Sequence, residues 1–152
     1  MTEISKAVQE GMRARVRKLQ AAVRQLPQWE PVTQHYFADQ MYCRIVPRPA
    51  GALIVGKVHR KEHFYIVLTG TVIITNGEEE AREVTGPQVI VSPIGTKRAV
   101  YAKTAAVCGT VHRLTGEFSS EEHIAQIEDE ITEPDPDSAY LPGNILKNGL
   151  LR

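Results

Sequence analysis

The chain has 152 residues and a mass of 16.9 kDa, with 18 Lys+Arg against 18 Asp+Glu and a formal charge of zero. Neutrality argues against a dedicated non-specific nucleic-acid binder, whose affinity rests on surplus positive charge. A hydrophobic content of 42% argues against disorder throughout and fits one compact domain.

No apolar core of a signal peptide opens the chain, and no apolar run approaches a membrane span. The expectation is synthesis in the cytosol and no membrane. Cys43 and Cys108 are the only cysteines and form no CxxC, which reads as two buried thiols in a reducing compartment.

Residues 1–30 read as an amphipathic helical arm. Ile4, Val8, Met12, Val16, Leu19, Val23 and Leu26 recur in steps of three and four, so the helix is expected over Ile4–Leu26. Pro27 ends it, because the residue before proline avoids the helical region. Lys6, Arg13, Arg15, Arg17, Lys18 and Arg24 form a solvated basic face. The stripe also suits a helix–helix seam between subunits. Trp29 is expected to pack the helix exit against the rest of the protein.

Residues 31–116 read as a run of short strands. Expected strands are Met41–Val46, Ala52–His59, His63–Leu68, Gly70–Thr75, Ala81–Val84, Gln88–Val91, Arg98–Lys103 and Ala106–Arg113. Pro47, Pro49 and Gly51 mark a turn, and Asn76-Gly77 marks a hairpin with Glu78–Glu80 solvated at its tip. Closely spaced strands without intervening helices predict an antiparallel barrel or sandwich.

Residues 117–152 read as an acidic helix followed by a docking tail. Ser119-x-x-Glu122 has the form of a capping box, and Phe118 can staple the start. Ile124, Ile127 and Ile131 form the buried stripe, and Pro134 and Pro136 stop the helix. Tyr140, Leu141, Ile145, Leu146, Leu150 and Leu151 give the tail enough apolar surface to dock on the barrel or on a neighbouring subunit. The neutral total is a sum of separated blocks, with residues 1–30 at +3, residues 31–116 at +4 and residues 117–152 at −7. Such separation can hold the acidic arm on its own barrel or join subunits.

The segments KVHRKEHFYIVLTG and GPQVIVSPIGTKR resemble the two signature segments of the cupin family. The resemblance implies a mainly β fold: a single cupin-type double-stranded β-barrel (jelly roll) with an N-terminal helix, a C-terminal helix and an apolar tail. Counting back from Gly70 puts His63 at the family's Glu position, His59 at its second His and Lys57 at its first. Gly86, Pro93 and Gly95 match the second segment with one extra residue of spacing, and Arg98 falls at its last His. HYFADQMYCR, VGKVHRKEHF, TGPQVIVSPIGTKRAVYA and TVH further resemble small cupin-like proteins encoded by bacteriophages and prophages, across about residues 35–131.

In metal-binding cupins the matching positions hold a divalent cation. Here His59 is retained and His63 is a competent replacement ligand. On a continuous strand Lys57, His59 and His63 would share one face. His112 on the last strand can supply a third imidazole, and the three would suit Zn, Fe, Ni or Cu. Lys57 and Arg98 oppose a cation in the same cavity and favour a small anionic ligand. His59 to His63 also spell H-x-x-E-H, but zinc-peptidase chemistry needs that pattern on a helix, and the flanks here are strand-like. Cys108 is expected to pack the barrel, and His35 and His123 to be ordinary surface or capping residues.

The leading expectation is a non-catalytic virion structural or adaptor protein. It would be made in the host bacterial cytoplasm, assemble as a homo-oligomer and contact other virion proteins. The alternatives are a metal-dependent small-molecule cupin enzyme and a pocket that sequesters a small anion.

Overall fold

The computed structural model describes residues 3–23, 25, 32–76 and 81–135. Trp29, the hairpin tip around Glu79 and the tail from residue 136 lie outside the described residues. After helix α1 (Glu3–Val23), nine strands follow: β1 (Gln34–Ala38), β2 (Met41–Arg48), β3 (Leu53–Val55), β4 (His63–Thr69), β5 (Thr71–Thr75), β6 (Arg82–Thr85), β7 (Gln88–Ser92), β8 (Ala99–Ala102) and β9 (Ala106–Arg113). A 3-10 turn (Glu121–His123) leads into helix α2 (Ile124–Ile131).

The strands form two antiparallel sheets, ordered β1-β2-β9-β4-β7 and β3-β8-β5-β6. This is the double-stranded antiparallel barrel of the cupin type. Alternation along the strands turns Tyr65, Val67, Val72, Ile74, Val84, Val100 and Cys108 inward to one core cluster. Cys43 is half-buried, and both thiols are free. Among the described residues no helix is long and apolar enough to cross a membrane.

Several local expectations change. β1 is an additional strand, joined to β2 by Asp39 (φ 42°) and Gln40 (φ 64°). β2 runs through Pro47 to Arg48, so the turn begins only at Pro49. The expected strand Ala52–His59 shrinks to Leu53–Val55, with His59 in an isolated bridge to Thr132. The capping box does not form, since α2 starts after the 3-10 turn and Ser120 makes no side-chain cap bond. On α1, Val16 is buried against Val55 and Ala99, but Leu19 is 36% exposed. Gln20 is buried instead and donates its amide to Asp135 at 3.2 Å.

The described part of the C-terminal segment closes the barrel. Ile124, Ile127 and Ile131 pack with Tyr42 and Leu114, with Phe37 and Phe118 against them. Beyond α2 the backbone returns to the barrel, with Arg60 N–H donating to Ile131 O at 2.8 Å and Glu133 N–H to Val58 O at 2.8 Å.

Candidate metal centre

Lys57, His59 and His63 do not share a continuous strand. Residues 56–62 form an irregular segment because their backbone partners are loops, not a ladder. Gly56 N–H donates to Arg98 O (2.9 Å), His59 N–H to Thr96 O (3.0 Å), and Gly95 N–H to His59 O (2.8 Å). Gly95 can carry this return because it sits at φ +88°, where a side chain would strain the backbone. His63 opens β4, and His112 lies on β9. Tertiary folding, and not one continuous strand, thus brings the three imidazoles together.

His59, His63 and His112 are all buried, and one ring nitrogen from each lies within 4.8 Å of the others. The rings stack, with centroids 3.9 Å apart for His59–His63, 5.0 Å for His63–His112 and 5.5 Å for His59–His112. In each ring one nitrogen meets a protein oxygen. His59 Nδ1 donates to Thr96 O (3.4 Å) and His63 Nδ1 to Lys61 O (3.0 Å), since a carbonyl only accepts. Thr110 Oγ1 lies 2.8 Å from His112 Nε2 and can accept from it. His59 Nε2 and His112 Nδ1 have no hydrogen-bond partner among the described residues although buried. Among the described residues His63 Nε2 meets only Arg98 Nη2, at 3.5 Å.

Burial holds all three imidazoles neutral. It pushes His59 and His112 well below the ordinary histidine range, with the neighbouring cations and imidazoles adding to it. It lowers His63 to about 4, against the raising effect of its bond to the Lys61 carbonyl. Neutral imidazole is the metal-ligating form. A ring fixed by an outer hydrogen bond, with its other nitrogen unfilled, is the usual arrangement of a ligating histidine. The residues therefore fit a divalent transition metal.

A cavity of about 80 Å³ adjoins His59, lined also by Arg44, Arg48, Lys57, Arg98, Glu128 and apolar groups that include Val46, Ile54 and Val100. Lys57 Nζ is 3.2 Å from Glu128, and Arg44 forms a second ion pair with the same carboxylate. Burial raises the Glu128 carboxyl, but the two cations outweigh it and hold it below the usual range. Arg98 donates to Ser92 Oγ and lies over the Tyr65 ring, 4.4 Å from its centroid. Burial lowers the Arg98 guanidinium to about 10, so it stays charged at neutral pH.

Sequence reasoning did not find Arg44, Glu128, Ser92 or Tyr65. Glu128 sits in an acidic helix, where carboxylates ordinarily face water. The only available signal was its place on the apolar side of α2, between Ile124, Ile127 and Ile131. His35 Nδ1 lies 2.6 Å from the Tyr42 hydroxyl and belongs to the packing beside β2. The H-x-x-E-H residues lie on no helix.

No protein-family model and no curated protein matches the chain. Solved structures do resemble it. A DMSP lyase, DddQ, from Ruegeria pomeroyi DSS-3 gives a TM-score of 0.50 at 16% identity, over 70% of this chain and 66% of the lyase. A cupin superfamily protein from Desulfitobacterium hafniense gives 0.48 at 12% identity, over 60% of this chain and 86% of that one. An acetylacetone dioxygenase from Acinetobacter johnsonii gives 0.45 at 15% identity, over 53% and 58%. The chain therefore spans less than two thirds of either enzyme. At these identities the likeness is one of fold.

Proposed function

We propose that the protein is a metal-dependent cupin that handles a small molecule inside its barrel. His59, His63 and His112 hold the ion, and Zn, Fe, Ni and Cu all suit three neutral imidazoles. The observation that supports this reading is the set of three buried rings, two of them with an orphaned nitrogen. Such an ion, when bound, supplies a Lewis acid with coordination positions left open by the protein. The chain's own part is orientation and shielding. Thr96, Lys61 and Thr110 fix the rings, and Val46, Ile54 and Val100 limit water in the adjoining cavity.

Elemental analysis of protein purified without chelator tests this. The expected result is about one transition-metal equivalent per chain, falling to background in His59→Ala and His112→Ala proteins that remain folded. A folded wild-type protein that holds no metal and gains no thermal stability from added Zn, Ni, Cu or Fe salts would sink it.

A second reading is self-assembly, within a phage particle if the sequence resemblance extends to setting; the outer face of the five-stranded sheet supports the self-assembly alone. One register row crosses all five strands as Tyr36, Cys43, Val111, Phe64 and Val91, without a charge. Phe64, Leu68, Val89 and Val91 are exposed. The outer face of the other sheet instead carries a Glu83–Lys103 ion pair and a Thr71–Thr85 hydroxyl pair. A second copy of the chain is the occupant that this apolar row, with Arg113 as a charge at its margin, fits best. In a virion such an oligomer would also contact other virion proteins. Light scattering should show an oligomer that Val91→Lys dissociates. A monomeric wild type, or absence of the protein from purified particles, removes the corresponding part of this reading.

A further inference from the structure

Arg98 is 7% exposed, and its side chain meets no carboxylate among the described residues. Its contacts are the Ser92 hydroxyl, the face of Tyr65 and, at 3.5 Å, the lone pair of His63 Nε2. A desolvated guanidinium ordinarily sits on a carboxylate or phosphate, because neutral partners recover less of its lost hydration. The carboxylate that lines the adjoining cavity does not answer Arg98, because Glu128 is taken by Arg44 and Lys57. A buried guanidinium with only these neutral contacts among the described residues calls for an anion beside it.

We propose that this cavity is the site of a small carboxylate ligand, bound by the Arg98 guanidinium beside the three imidazoles and bodied against Val46, Ile54 and Val100. The planar fork of arginine matches a carboxylate in two parallel bonds. The volume of about 80 Å³ and the apolar walls limit the body to a short aliphatic chain. Glu128 shows the same chemistry from within the chain, as a carboxylate received by two cations of the same cavity.

The site and the metal centre share His63 Nε2. A metal on that nitrogen takes the lone pair that Arg98 faces, so the guanidinium needs another acceptor. The added positive charge strengthens the demand for an anion. Carboxylate and metal therefore bind cooperatively, each raising the other's affinity by the same factor. This coupling rests on the three-histidine reading, whereas the Arg98 site itself does not.

The test is calorimetric titration of butyrate, butyramide and inorganic phosphate into chelator-treated and Zn-treated full-length protein. Folding of every variant is checked by circular dichroism. Butyrate is expected to bind both forms, more tightly with Zn, and butyramide to bind neither. Arg98→Gln should weaken butyrate at least tenfold. Should Arg98→Gln not fold, Arg98→Lys decides, because it keeps the charge and loses the fork, and several-fold weakening is expected. Absence of butyrate binding overturns the site. So does equal binding of butyramide, tighter binding of phosphate, or binding indifferent to Arg98 substitution. Arg98-dependent butyrate binding in a protein that takes up no Zn keeps the carboxylate site and rejects the metal reading. Zn binding without a carboxylate effect does the reverse.

Discussion

At the scale of single residues, Glu128 has the largest electrical leverage. It is 2% exposed and is the shared partner of Arg44 and Lys57. Removing one member of a buried ion pair strands the other charges in a poorly screened interior, at a cost of about 3–5 kcal/mol. Glu128→Ala should lose stability on that scale in urea unfolding, and Glu128→Gln less, since it keeps the shape and a hydrogen-bonding group. A loss below ~1 kcal/mol for Glu128→Ala would show that the two cations find water instead. The histidines differ in legibility. His59 and His63 stand close together and are visible as a pair, while His112 joins them only because β9 pairs with both β2 and β4. Lys57 was readable as a cavity residue but not as a neutralised one, because its partner comes from a distant helix.

At the scale of elements, α2 is both a packing unit and the stopper of the barrel. Ile127 is fully buried in its cluster, so Ile127→Ala should cost about 2–5 kcal/mol. The same substitution should loosen the seat of Glu128 and weaken whatever occupies the cavity; a stability loss with unchanged occupancy would separate the two roles. The corner at Gly70, where the chain passes from β4 in one sheet to β5 in the other, is a second sensitive point. Its φ is +82°, and an added Cβ would stand 2.7 Å from Ala106 Cα. Gly70→Ala should therefore destabilise by roughly 1–3 kcal/mol, read as a lower denaturation midpoint. Most strands were legible because alternation and turn residues are local signals. The β1–β2 hairpin was not. Its turn uses Asp39 and Gln40 at positive φ without a glycine, and Gln40 is held there by bonds to the carbonyls of Leu114 and Gly116. Those partners are remote in sequence, so no local pattern announces the turn.

At the scale of the whole molecule, the charge blocks acquire a mechanism. Among the described residues four ion pairs tie the acidic segment to the basic barrel: Glu128 to both Arg44 and Lys57, Glu130 to Lys61 at 2.6 Å, and Asp135 to Lys97 at 2.8 Å. Partial burial raises the Glu130 carboxyl, but Lys61 and the N–H groups of Gly116 and Thr115 outweigh it and lower it to about 2. A carboxyl whose folded pKa lies below its unfolded value stabilises the fold above the unfolded pKa. That contribution fades as pH falls from about 4.5 towards 2. Glu130→Gln should accordingly flatten the acid limb of the stability profile across that window and change little in its slope above it. An acid limb identical to wild type would show that Glu130 does not hold the arm.

The sequence by itself determined the strand-rich barrel, the two flanking helices, the turn skeleton of Gly70, Pro93 and Gly95, and the polarity of the blocks. Each depends on periodicity, turn chemistry or composition within a few residues. Only the tertiary structure decided that His59 leaves the strand yet still meets His63 and His112, that Glu128 enters the barrel to neutralise Lys57, and that Arg98 does not share that carboxylate. Those outcomes depend on which distant groups the closing of two sheets and one helix places within a few ångströms, in an interior where every charge must find a partner.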